Sequence, residues 1–79
     1  MPYISDEHRL TLRKIKELHN LSTIAIAAIA GVEPPLIYNM ERGMVLKVRD
    51  VDKILSALSR VTGKLYSRDT VGGYWVHEE

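Results

Sequence analysis

The 79-residue sequence predicts an all-α fold, a bundle of four to five helices followed by a short extended C-terminal tail. Three observations lead there. Apolar residues recur at three-to-four-residue spacing through most of the chain, the period of helices that bury one face. Helix-stopping residues punctuate those stretches at Asn20, Gly31, Gly43 and Gly63. There is no cysteine, so neither a disulfide framework nor a thiolate zinc site supplies stability, and side-chain packing or a second subunit must. A domain of this size buries only roughly 60% of its unfolded surface.

In chain order, Ser5 or Asp6 offers an N-cap, and Asp6 and Glu7 suit the positive end of a first helix. From His8 to Asn20 the pattern is helical. His8, Leu12, Ile15, Leu18 and His19 share one arc, with Arg9, Arg13, Lys14 and Glu17 opposite. Ser22 caps a second helix built on Ile24, Ile26, Ile29 and alanines, and Gly31 breaks it. The residue before a proline avoids the α region, so Pro34-Pro35 places the third helix start at Pro35. Leu36, Ile37 and Met40 face inward on that helix, while Pro35, Tyr38, Asn39 and Arg42 face outward, and Gly43 ends it.

Residues 44–49 read as a connector with at most one helical turn. From Asp50 the stripe Val51, Ile54, Leu55, Leu58 and Val61 marks a further helix, stopped at Gly63. Leu65 and Tyr66 fold back onto the core. Gly72-Gly73 reads as a flexible break, and Tyr74 to His77 alternates as a short strand does. Residues 1–66 thus form a helix-turn-helix domain, and residues 67–79 an aromatic extension that serves as a strand or dimer arm.

Two short helices around a glycine turn can place the second in a DNA major groove. The net charge of +1 is a weak signature for that role, since dedicated binders carry a basic excess. Basic residues do cluster, however: Arg9, Arg13, Lys14 and Lys16 in the first helix, and Arg42, Lys47, Arg49 and Lys53 around and after the third. No signal-peptide h-region is apparent, and the apolar run from Ile24 to Val32 is too short to cross a bilayer, so a cytoplasmic location without membrane contact is expected.

Catalytic and metal chemistry find no support. His8, His19 and His77 lack ligand spacing; the first two lie about three turns apart on one helix. No Ser/His/Asp grouping, phosphate-binding loop or paired carboxylate appears, and Asp50 and Asp52 look like helix-start charges. The chain is therefore expected to be no enzyme, with no cofactor and no metal.

Residues 22–43 resemble the helix-turn-helix of the Xre family, the type found in Cro and lambda repressor, and the likeness extends over roughly Leu12 to Leu65. It rests on Ile26-Ala27 in the second helix, Gly31-Val32 at the turn, Ile37 and Met40 in the third helix, the ending Glu41-Arg42-Gly43, and the trailing stripe from Val51 to Leu58. Ala27 is small where two helices cross, and Gly31 and Gly43 complete the structural turns. The resemblance implies an ion pair between Glu41 and Lys16. It also implies sequence-specific binding of double-stranded DNA by a repressor-like homodimer that regulates transcription.

On that pattern Pro35, Tyr38, Asn39 and Arg42 face bases, while Thr23, Lys47 and Arg49 hold phosphates. Asn39 suits adenine and Arg42 suits guanine. Three features depart from it. Thr23 stands where the family often has Gln. Glu33-Pro34-Pro35 removes two N–H donors from the helix start and adds a negative charge. The second helix carries Ile24, Ala25, Ala28 and Ile29 where polar residues are usual, which calls for a cover by the tail or a second subunit. These departures support a competing class, a protein-interaction module of the same fold acting as an antitoxin or adaptor.

Overall fold

The computed structural model describes residues 2–77. Among them are four helices and five short strands, β1 (Tyr3–Ile4), β2 (Leu10–Thr11), α1 (Leu12–His19), α2 (Thr23–Ala30), α3 (Pro34–Glu41), β3 (Val45–Lys47), α4 (Val48–Thr62), β4 (Val71–Gly72) and β5 (Tyr74–His77). With 51% helix and 17% strand in two sheets, the fold is mixed α/β, which overturns the expected all-α class. The helices survive the correction; the strands are what the sequence concealed.

The three-stranded sheet has the order β1-β5-β3, with β5 antiparallel to β1 and parallel to β3. β2 and β4 pair in parallel as a second, two-stranded sheet. The C-terminal segment is therefore the centre of a sheet. Its strand alternates as expected, Tyr74 and Val76 buried, Trp75 and His77 exposed. Tyr74 and Val76 join Leu12, Ile15, Ile26, Ile37, Met40, Leu46, Val51, Ile54 and Leu58 in one core, so the described part of the expected extension, residues 67–77, is packed into the same unit as the helices; residues 78 and 79 lie outside the described residues.

The N-terminal helix begins later than its charge pattern suggests. Arg9 N–H donates to the Asp6 carbonyl in a turn, His8 sits at φ 63, and Leu10 N–H donates to the Thr70 carbonyl. Pairing with β4 thus claims residues that the helical pattern would have used, and Thr11 Oγ1 caps α1 by accepting from Lys14 N–H at 3.2 Å. His8 is consequently exposed rather than on an inner arc, and Leu18 is exposed as well. Asn20 stops α1 in the left-handed conformation, as its side chain permits. The connector after α3 is strand β3, after which α4 starts at Val48, three residues before the first residue of its periodic stripe, Val51. Val61 and Leu65 lie exposed, leaving Tyr66 alone of its pair in the core.

Tyr74 carries a local fault. Its ring is fully buried, yet its hydroxyl finds no hydrogen-bond partner among the described residues. Burial pushes the phenol up to about 12 from the usual 10, a rise that Arg68 and Arg9 nearby moderate. The folded state therefore retains this proton at a pH where the unfolded chain has released it. Stability is full below pH 10 and falls as pH rises from 10 towards 12. Tyr74→Phe is expected to leave the neutral-pH melting temperature equal or higher, because an unsatisfied buried hydroxyl costs ~1–3 kcal/mol. It should also flatten the alkaline limb. A fall of more than about 1 kcal/mol by denaturant titration at pH 7 would show that the hydroxyl has a stabilising partner.

Candidate nucleic-acid interface

The helix-turn-helix segment is set by three local features. Ser22 Oγ accepts Ala25 N–H at 3.0 Å and starts α2. Gly31 ends α2 at φ 72, a conformation that costs a residue with Cβ ~1–2 kcal/mol. Its N–H and that of Val32 both donate to the Ala27 carbonyl, closing the turn. The chain then bends by 116° into α3, within the ~90–120° range of helix-turn-helix motifs. Buried Ile26 and Ala27 on α2 meet buried Ile37 and Met40 on α3.

α3 begins at Pro34, one residue earlier than the Pro-Pro pair suggests, and its N-cap Glu33 makes no side-chain capping bond. Two of the first amide positions are prolines without N–H, and Leu36 N–H already donates to the Glu33 carbonyl. This helix end therefore offers no cluster of donors to a phosphate, unlike an ordinary helix start. Base contact must come from side chains along its exposed face.

That face carries Pro35, Tyr38 and Arg42 exposed to solvent, with Asn39 half-buried between them. Arg42 Nη2 donates to Asn39 Oδ1 at 3.1 Å, one turn apart on the helix. The bond occupies one acceptor site of the Asn39 amide and holds the guanidinium over the helix surface. Gly43 follows at φ 74 and turns the chain into β3. Lys47 on β3 and Arg49 in the first turn of α4 are both exposed.

Thr23 is placed differently. It is buried at the first position of α2, where its Oγ1 accepts Lys16 Nζ at 2.7 Å. The same ammonium donates to Glu41 Oε1 at 2.6 Å, with side-chain exposures of 19% for Lys16 and 11% for Glu41. Thr23 thus braces the junction of α1, α2 and α3 rather than facing outward to a phosphate. The pairing of Glu41 with Lys16 is as the sequence resemblance implies. The role of Thr23 in that triad was the missed residue, and its only signal is a hydroxyl next to a helix cap, too common to be diagnostic.

The tail does not cover α2. Ile24 is 65% exposed and Ile29 also faces solvent, while the Tyr74 to His77 strand is engaged in the sheet. Among the described residues no group of three or more His, Cys, Asp or Glu side chains is placed to hold a metal, and His19 bonds Tyr66 through Nε2 and the phenol oxygen at 2.9 Å. Among the described residues no single helix is long and apolar enough to cross a membrane. Compared with protein-family models, curated proteins and solved structures, the chain matches none.

Proposed function

We propose that this chain is a cytoplasmic, repressor-like transcription regulator that binds double-stranded DNA as a homodimer, with α3 in the major groove. One observation carries the reading: the 116° bend between α2 and α3 leaves Tyr38 and Arg42 exposed on the second helix, with half-buried Asn39 beside them. Arg42 is the principal base reader, its fork suited to guanine O6 and N7. Asn39 positions it through the 3.1 Å bond, so its own preference for adenine gives way to a supporting role. Tyr38 and Pro35 add apolar contact, and Lys47 and Arg49 supply phosphate contacts that are independent of sequence. Half-sites would lie about one helical turn apart.

The test is binding-site selection followed by titration across a salt series. Arg42→Ala is expected to lose ~1–3 kcal/mol of discrimination, about fivefold to 150-fold, at one guanine position. Asn39→Ala should lose much of the same discrimination, and the Asn39→Ala/Arg42→Ala pair should be less than additive. Lys47→Ala should weaken all sequences alike and reduce the salt slope by about one. Additive single losses would remove Asn39 from its positioning role. A flat salt response, with no duplex selected, would remove the DNA reading itself.

The exposure of Ile24 and Ile29 favours a second reading, an interaction module whose α2 docks a protein partner. In that case Ile24→Lys abolishes partner binding while Arg42→Ala leaves it intact.

A further inference from the structure

A groove of about 370 Å³ runs between α4 and residues 65–68. Helical spacing makes one wall: Asp52, Ser56 and Ser59 follow one another at about one turn along α4, with buried Leu55 between them. Leu65, Tyr66 and Arg68 make the other wall. Internal bonds hold the second wall in place. Tyr66 N–H donates to Ser59 Oγ at 2.8 Å, and the Tyr66 hydroxyl lies 2.9 Å from His19 Nε2. The Arg68 carbonyl accepts Arg9 Nε at 3.0 Å. A preformed recess of this volume is at the small end of the ~300–1,000 Å³ that ligand sites span.

Its lining selects the ligand. Arg68 Nε and Asp52 Oδ1 set opposite charges 3.5 Å apart, both side chains about half-exposed. A pair so open to water is weak, and each partner keeps further capacity, the guanidinium through its fork of N–H donors and the carboxylate through its second oxygen. Leu65 stands at the rim 84% exposed, so an apolar group that covers it gains hydrophobic free energy. We infer that the groove is a binding site for a free α-amino acid with an aliphatic side chain. The ligand carboxylate bonds the Arg68 fork, its ammonium bonds Asp52, and its side chain lies on Leu55 and Leu65. A simple anion meets repulsion from Asp52, and a simple cation meets it from Arg68; a zwitterion satisfies both. The buried Tyr74 hydroxyl, without a partner among the described residues, lies in the field of the same two charges, so this end of the groove also carries a polar demand that the chain leaves unmet. The site does not depend on the DNA reading.

Nuclear magnetic resonance titration of the full chain with leucine, isoleucine or valine, from about 0.1 mM to about 20 mM, should give saturable shifts that include the Ser56 and Ser67 amides. Three smaller probes separate the parts of the site. Glycine keeps both charges without the side chain, 4-methylpentanoate lacks the ammonium, and 3-methylbutylamine lacks the carboxylate. Each should bind about tenfold more weakly than leucine, or worse. Arg68→Gln and Asp52→Asn, each checked for an unchanged circular dichroism spectrum, should weaken leucine by a similar factor, whereas Arg42→Ala should not. No saturation by any of the three amino acids at the highest concentration would overturn the inference. So would 4-methylpentanoate or the amine binding as tightly as leucine, or leucine affinity kept in both groove variants. Leucine binding by a chain that selects no duplex retains this site and removes the DNA reading, and duplex binding by a chain that takes no amino acid does the reverse.

Discussion

Gly72→Ala is expected to lower the melting temperature by on the order of 20 °C, or to abolish the folded state at 37 °C. A methyl group at this position would lie 2.0 Å from the Ser5 carbonyl oxygen and 2.6 Å from its carbon, with the Arg9 side chain at 3.1 Å. The obstacle is backbone, and neither strand is at liberty to retreat. Gly72 pairs with Thr11 in the two-stranded sheet, Gly73 N–H donates to the Ile4 carbonyl at 2.7 Å, and Ser5 O accepts Arg9 Nη1 at 3.2 Å. Relief requires the N-terminal segment to leave the sheet, uncovering Ile4 and Leu10 and the inner side of β5. Overpacking alone costs ~1–3 kcal/mol, and the lost strand pairing adds to it.

A total of about 4 kcal/mol is comparable with the whole stability of a domain this size, roughly 0.05–0.15 kcal/mol per residue. At ~4–8 °C per kcal/mol the shift is large. Gly31→Ala is the control: its methyl would meet nothing within 4 Å, so only the left-handed backbone is penalised. Thermal denaturation followed by circular dichroism separates the two. Equal shifts, with Ile4 amide protection kept in Gly72→Ala, would refute the close-approach argument.

Gly72 also shows where sequence reasoning stops. A Gly-Gly pair carries the same local signal whether it is a hinge or a contact between backbones distant in sequence. The helical core positions were legible, because Leu12 and Ile15, Ile26 and Ala27, Ile37 and Met40, and Val51 to Leu58 repeat with the helical period. Strands of two to four residues have no period to detect, so two sheets stayed hidden and the fold class was misread. Only Tyr74 to His77 was long enough to alternate visibly. Capping signals at Ser5 and Asp6 competed with pairing to β4, and the non-local partner won. On the candidate interface, the exposure of Tyr38 and Arg42 follows from helical geometry. The Asn39–Arg42 bond and the inward role of Thr23 depend on side-chain placement that spacing does not encode.

Glu41→Ala is expected to destabilise by ~2–3 kcal/mol, more than any exposed ion pair would. The Lys16 ammonium is the meeting point of three helices: it extends from α1, bonds Thr23 at the start of α2 and bonds Glu41 at the end of α3. Removing the carboxylate leaves a mostly desolvated cation with one neutral hydroxyl as partner. Full burial would put the loss at ~3–5 kcal/mol, and the one-fifth exposure of Lys16 brings it to the lower end. The melting temperature should fall by about 10–20 °C. Because screening acts weakly on partly buried pairs, the deficit should persist in 1 M salt, where the Debye length is only ~3 Å. The combined Lys16→Met/Glu41→Leu variant should recover much of the loss, since no uncompensated charge then remains. A Glu41→Ala shift no larger than that of a solvent-exposed glutamate, or one that vanishes in high salt, would reduce the triad to a surface contact. The orientation of α3 would then depend on Ile37 and Met40 packing alone.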